Sequence, residues 1–397
     1  MRKRFEESKD DQQLVDEDKY SKKKKSKSCR KSSSVMSSLL KLTAITVVFL
    51  AVFLAIICPV VFRASLFVRK GLLFMNWLNL PLFRNLSNPE LEFGLNCTRH
   101  FFIDSVKEKD IRLGVWHILP KSRIGECDLS DPSRLASDRA FDDDRQVILY
   151  LHGNGGARGG NHRKELYKVL AYDSSLDYHV VAVDYRGYGD SSHTEVTSAG
   201  LVADAATVYD WLLVQVNGRK DRITVWGHSL GTAVATYLIA HLDPYAQPSS
   251  LVLEAPFSSI HDALSHHPLS SFFKVHPYFN YYFVDPMVKN DETNFDSAAK
   301  IAQVHCHLMI LHAFDDVIVP YPLGEKLHRV ALESRSKSAP AAQLVSFEAS
   351  KGYGHKGIFK DAALPSIIKD FVDKARRWSN GKNNHAEDQS SQGKKKK

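Results

Sequence analysis

Gly227-His228-Ser229-Leu230-Gly231 has the spacing that serves acyl transfer through a serine nucleophile. Arg222 to Trp226 reads as a short buried strand and Thr232 to Ala240 as a helix with a small-residue face, so Ser229 falls on the turn between them. Strand and helix approach closely at such a turn. Glycine two places before and two after removes the Cβ atoms that would collide. The competing reading is an ordinary helix start that uses Ser229 as its N-cap.

A serine hydroxyl is a weak nucleophile near neutral pH and needs a base that is itself oriented. In an open parallel sheet, these partners come from loops at the carboxyl ends of later strands. Asp315 and Asp316 follow a strand at Leu308–Ala313, and His355 follows one at Leu344–Phe347 within Gly352-Tyr353-Gly354-His355-Lys356. The order Ser, Asp, His is one that such sheets use. Among the other histidines, His193, His228, His266, His267 and His312 follow no late strand at the right distance. The developing oxyanion needs hydrogen-bond donors. The N–H of Leu230 supplies one, and the N–H of Asn154, after His152-Gly153, supplies the other; an ordinary tight turn is the rival reading of that His-Gly pair. His305-Cys306-His307 and His312 lack a further ligand at zinc-like spacing, so no metal is expected. The chemistry calls for no cofactor.

These residues need a scaffold, and the chain alternates strand and helix to provide one. Apolar strands are read at His100–Asp104, Ile111–Ile118, Gln146–Leu151, His179–Asp184 and Leu251–Glu254, besides those already named. Helices are read over Arg163–Tyr172 and Ser198–Gln215. Near-continuous apolar strands separated by helices predict an α/β domain, a mostly parallel sheet covered on both faces, over residues 99–378. Residues 258–302 break the rhythm with Phe272, Phe273, Tyr278, Phe279, Tyr281 and Tyr282. An insertion there reads as an aromatic cap with an acyl-chain pocket, against a helical excursion that merely packs on the core.

Leu42 to Phe62 is an uncharged, mostly apolar run whose helical length, about 31 Å, matches a bilayer core. The polar residues ahead of it argue for a retained anchor over a cleaved signal. Residues 1–41 read as a basic disordered tail, 63–98 as a membrane-proximal linker that lies along the membrane or folds back onto the domain, and 379–397 as a second disordered basic tail. The net charge of +8 resides in these ends: residues 1–41 hold 13 Lys/Arg against 7 Asp/Glu, and residues 380–397 hold 5 against 2. The near-neutral body argues against nucleic acid as a partner. Eight basic residues between Lys22 and Lys41 outweigh Arg63, Arg69 and Lys70 beyond the anchor, which places the N-terminus in the cytosol and the domain in the lumen or outside. Asn96-Cys97-Thr98 is a glycosylation sequon that agrees with this; Asn85-Leu86-Ser87 is a second, nearer the membrane. Of five cysteines, Cys97, Cys127 and Cys306 would meet an oxidising lumen. Cys97 with Cys127 is the candidate pair, against free thiols throughout.

Taken together, the chain resembles the α/β-hydrolase fold and, within it, the membrane-anchored lipases that act on lysophosphatidylserine and monoacylglycerols. The residues that carry the resemblance include Ile148 to Asn154, Arg158-Gly159-Gly160, Glu165 to Leu170, Asp184 to Ser191, Trp226 to Thr232 and Asp315-Asp316. Asp316 stands at the acid's position in the family's Asp-x-x-Val-Pro spacing, which leaves Asp315 as a turn residue. The resemblance implies a serine lipase of the endoplasmic-reticulum membrane with a luminal site, lysophospholipid and monoacylglycerol substrates, and no cofactor. A membrane-tethered peptidase or thioesterase with the same three residues is a rival. A non-catalytic hydrolase-like binding protein is another.

Overall fold

The computed structural model describes residues 2–78, 81, 84–127 and 140–394; Phe83 and the terminal Lys395–Lys397 lie outside them. Two compact units meet at Val61 and Phe62 in the chain. At the N-terminus, α1 (Arg2–Val52) continues through a π-helical turn, Phe53–Ile57, into α2 (Cys58–Ala64). Its stretch Val35–Ala64 is long and apolar enough to cross a membrane. The tail before it, expected to be disordered, is helical here. Lys, Glu and Gln are good helix formers, and Lys22 pairs with Asp18 one turn earlier at 2.6 Å.

The second unit begins with α3 (Leu66–Phe74) and α4 (Pro89–Phe93), then the antiparallel pair β1 (Thr98–Asp104) and β2 (Arg112–Ile118). The alternation that follows is β3 (Val147–Leu151), α5 (Asn161–Tyr172), β4 (His179–Val183), α6 (Ser198–Gln215), β5 (Ile223–His228), α7 (Leu230–His241) and β6 (Ser250–Glu254). Three short helices, α8 (Ile260–His266), α9 (Asp285–Val288) and α10 (Ser297–Lys300), occupy the insertion. The chain closes with β7 (His307–Ala313), α11 (Tyr321–Ser334), β8 (Gln343–Phe347) and α12 (Leu364–Lys394). Residues 379–394, expected to be disordered, thus continue the last helix.

The sheet order is β1-β2-β4-β3-β5-β6-β7-β8, parallel from β4 onward. Strand order reverses at β3: the chain steps outward to β4, then back across to β5. The loops leaving β3 and β5 therefore diverge, which opens a crevice at their carboxyl ends. Successive side chains of a strand face opposite ways. Val147, Leu149 and Leu151 accordingly join the core under α6, α7 and α11, whereas Ile148 and Tyr150 join the core under α5 and α12.

Described residues of the segment 63–98 fold back onto the domain. Phe74, Phe93 and Leu95 are buried, and Trp116 Nε1 donates to the Leu86 carbonyl at 2.8 Å. Within the insertion the rings largely pack on one another. Phe273 and Phe279 lie 4.7 and 5.6 Å from Phe283, while Phe272 and Tyr278 face outward.

Candidate active site

Ser229 has φ 51° and ψ −119°, between the end of β5 and the start of α7. A non-glycine residue held there is strained, and such strain persists only where its surroundings enforce it. The Ser229 N–H donates to the Glu254 carbonyl at 2.9 Å, and its side chain makes no capping bond. Close packing explains both glycines. A Cβ on Gly227 would strike the Gly231 carbonyl, and one on Gly231 would strike the Leu151 carbonyl on the neighbouring strand.

Ser229, His355 and Asp316 converge from the ends of three strands. His355 Nε2 lies 3.0 Å from Ser229 Oγ, and His355 Nδ1 lies 2.7 Å from Asp316 Oδ2. The N–H groups of Ile318 and Val319 each donate to Asp316 Oδ1 at 2.9 Å, so the turn Asp316–Val319 fixes the carboxylate. Burial would raise the Asp316 carboxyl, but hydrogen bonds from His312 and His355 and from the Val319 N–H outweigh it and hold the group ionised, well below the usual range. Asp315 points elsewhere, its Oδ2 accepting the Gly354 N–H at 2.9 Å. The two adjacent acids are thus divided between the histidine ring and the histidine's loop.

The loop after β3 faces the serine, with Gly153 so close that a Cβ there would come 3.0 Å from Ser229 Cβ. Arg163, buried at the start of α5, gathers the loop's carbonyls. It donates to Ala157 at 2.6 Å, Gly155 at 2.8 Å and Gly153 at 3.1 Å. The N–H groups of Gly155 and Gly156 are taken by the carbonyls of Phe74 and Leu78. The Asn154 N–H has no protein acceptor among the described residues, and Leu230 opens α7, where first-turn N–H groups lack intrahelical partners. The two donors expected for an oxyanion thus stand beside Ser229, Asn154 on the loop after β3 and Leu230 at the first position of α7.

Sequence reasoning set aside three histidines that the structure brings to this site. His228 Nε2 donates to the His355 carbonyl at 3.0 Å, and burial, followed by the nearness of His355, holds His228 well below the usual imidazole value. His312 Nε2 donates to the Val319 carbonyl at 2.8 Å and lies 3.4 Å from Asp316 Oδ2. His267, from the insertion, is kept neutral first by burial and then by His355. By contrast, His193 and His266 are exposed. The sequence signal for His228 and His312 was position alone, since each ends or borders a strand that carries a site residue.

Glu254, at the end of β6, also escaped notice. It accepts from Trp226 Nε1 at 2.9 Å, and burial, with a smaller contribution from Asp316, pushes its carboxyl up to about 7. Away from the site, His307 packs edge-on against Trp378, its ring centroid 5.4 Å away, which separates it in role from His312. Among the described residues no His, Cys, Asp or Glu side chains converge in a group that could hold a metal. Asn96 and Asn85 are exposed. Cys97 and Cys127 form a disulfide with Cα atoms 5.9 Å apart.

Comparison with known proteins agrees with the fold and narrows it. A family model described as the alpha/beta hydrolase fold matches residues 146–285. The chain is 38% identical over 333 residues to the lysophosphatidylserine lipase ABHD12 of Danio rerio, covering 84% of each chain. It is 39% identical over 313 residues to the Mus musculus protein of that name, covering 78% of this chain and 75% of that one. Among solved structures, a Pyrococcus furiosus esterase superposes with a TM-score of 0.52 at 17% identity, covering 75% of this chain and 97% of the esterase, a likeness of fold alone.

Proposed function

The chain belongs to the lysophosphatidylserine lipase ABHD12 family of α/β-hydrolases, and from that premise we propose that it is a membrane-anchored serine lipase hydrolysing the acyl ester of lysophospholipids, lysophosphatidylserine foremost, with monoacylglycerols as second substrates. The observation that carries this reading is the line from Ser229 Oγ through the His355 ring to Asp316, at 3.0 and 2.7 Å.

Ser229 Oγ attacks the ester carbonyl carbon as His355 Nε2 takes its proton. Asp316 holds Nδ1–H and stabilises the imidazolium. The N–H groups of Leu230 and Asn154 receive the tetrahedral oxyanion. On collapse the ester C–O bond breaks, and His355 returns the proton to the leaving glycerol oxygen. Water, deprotonated by His355, then cleaves the acyl-enzyme and releases the fatty acid with Ser229 restored. No cofactor takes part.

The basic flank before the anchor, the sequon at Asn96 and the Cys97–Cys127 bridge support a luminal domain, since structural disulfides persist in oxidising compartments. Residence in the endoplasmic reticulum follows from the family resemblance. The deciding experiment is fluorophosphonate labelling of the full-length protein in membranes, competed by lysophospholipids of differing headgroup. Labelling that Ser229→Ala abolishes and lysophosphatidylserine suppresses best is the expected result. Suppression by peptide or thioester alone overturns the lipase reading.

A further inference from the structure

Helix α3 is inverted relative to an ordinary surface helix. Its two cations point inward, Arg69 and Lys70 each being 7% exposed. Lys70 Nζ reaches Glu195 Oε1 at 2.6 Å and also pairs with Glu292, while the Arg69 guanidinium donates to the Phe62 carbonyl at 3.1 Å. Its outward face is apolar: Phe67 is 86% exposed and Leu72 56%. At about 100° per residue, Gly71 falls between those two on the same face. A domain surrounded by water places charge outside and apolar groups inside. The reverse arrangement suits a helix whose surroundings are hydrocarbon. Trp77 is 65% exposed and folds its indole back, Nε1 donating to the Gly71 carbonyl at 2.8 Å. An apolar ring body with a satisfied N–H is suited to the membrane interface.

Chain connectivity identifies what covers this face. The apolar stretch Val35–Ala64 ends one residue before α3. Ser65 caps α3, accepting the Val68 N–H at 3.3 Å. Two residues of chain reach at most about 7 Å, so a bilayer crossed by that stretch has its boundary at the start of α3. The insertion reaches the same place: the Arg63 guanidinium lies 3.6 Å from the Tyr281 ring centroid, and Phe62 and Phe283 have centroids 5.1 Å apart.

We infer that α3 lies in the plane of the membrane interface with Phe67 and Leu72 among the lipid acyl chains, a second contact with the bilayer beside the spanning helix. This contact bears on the candidate site, because the loop that carries the Asn154 N–H is hung from the carboxyl end of α3. Asn154 Nδ2 donates to the Leu73 carbonyl at 3.3 Å, and the Gly155 and Gly156 N–H groups donate to Phe74 at 3.0 Å and Leu78 at 2.7 Å. Seating α3 on lipid therefore sets the loop that faces Ser229. The inference rests on the anchor and not on the identity of the substrate.

The test uses full-length protein in phosphatidylcholine–phosphatidylserine vesicles, with an environment-sensitive nitrobenzoxadiazole probe on Phe67→Cys or Leu72→Cys after replacement of Cys29, Cys58 and Cys306. Blue-shifted emission, quenched by lipids brominated on the acyl chain and not by aqueous iodide, is the expected result. Emission like that of the free probe in water, with iodide quenching, overturns the inference. So does protection from both quenchers with cross-linking between copies, which would make the face a dimer contact. As a second readout, the ratio of vesicular lysophosphatidylserine hydrolysis to hydrolysis of a soluble short-chain ester falls about ten-fold in the Phe67→Glu, Leu72→Glu double variant. An unchanged ratio overturns the coupling to the loop. Loss of all ester hydrolysis in the parent protein while the depth reading stands would instead count against the serine mechanism.

Discussion

His228 donates its Nε2–H to the backbone carbonyl of His355 at 3.0 Å, so the residue before the serine holds the loop of the histidine that faces it. A carbonyl only accepts, which fixes the His228 tautomer and leaves Nδ1, buried, without a partner among the described residues. A neutral His228 adds no like charge as His355 takes up a proton. His228→Ala is expected to lower kcat about ten-fold, the effect of one net hydrogen bond, with little change in KM. His228→Gln, which keeps an amide donor, should recover part of the loss. Equal kcat for both variants and the parent would remove His228 from this role.

The neighbouring acids separate by a second measurement. Asp316→Asn keeps the shape of the side chain but loses the carboxylate that selects the His355 Nδ1–H tautomer, and kcat should fall about 10⁴-fold. Asp315 acts on the Gly354 N–H instead. Its removal in Asp315→Ala loosens the loop and should cost about ten-fold. Steady-state hydrolysis of a soluble ester ranks the two. A larger effect at Asp315 would reverse their roles.

What was legible in the sequence was local. Ser229 could be found because the elbow writes its steric demands into five consecutive residues, and the strands because buried β-segments are short apolar runs. Strand order pointed to His355 and to the pair Asp315 and Asp316, and the choice of Asp316 came from the family resemblance. His228 was passed over because its partner lies 127 residues away, and a histidine's tautomer leaves no trace in composition. Glu254 looked like an ordinary strand end, since nothing in Leu-Val-Leu-Glu reports that Trp226 lies across from it. The segment 63–98 reads equally as lying along the membrane or folding back onto the domain, because sequence does not separate the outward Phe67 and Leu72 from the buried Phe74, Phe93 and Leu95. That pattern defeats the assumption that apolar residues mark the core.

Glu254 gives a pH dependence of stability. Its folded value, about 7, lies above the ordinary glutamate value of 4.5. Between those two values the folded protein holds a proton that the unfolded chain has released. Stability therefore declines as pH rises through that window, and the deficit is complete above the folded value. Glu254→Gln keeps an acceptor for Trp226 Nε1 and removes the ionisation. The variant should melt about 5 °C higher than the parent at pH 8 and nearly level with it at pH 4.5, measured by thermal scanning in detergent. A constant difference across pH would show that the carboxyl does not titrate in this range.

The elbow glycines admit no side chain. In Gly231→Ala the new methyl meets the Leu151 carbonyl, which β3 holds in register between β4 and β5. The strand cannot shift without breaking ladder bonds on both sides. A loss of more than about 3 kcal/mol is expected. Fluorophosphonate labelling should disappear together with the cooperative melt. Gly381→Ala, where nothing lies within 4 Å, should retain both.

The Cys97–Cys127 bridge ties the entry of β1 to the segment after β2 across 30 residues. Closing a loop of that length restricts the unfolded chain by about 3–4 kcal/mol. In membranes prepared with free thiols blocked, two cysteines should therefore react with a maleimide–polyethylene glycol only after reduction. Cys97→Ser should lower the melting temperature by several degrees and leave Cys127 free to be blocked with the other thiols, so that reduction exposes none. The same experiment reads topology, because a domain on the cytosolic side would meet a reducing pool. No labelling even after reduction, both thiols having been blocked beforehand, with no glycosidase-sensitive sugar at Asn96, would place the domain in the cytosol and reverse the orientation inferred from the flanking lysines.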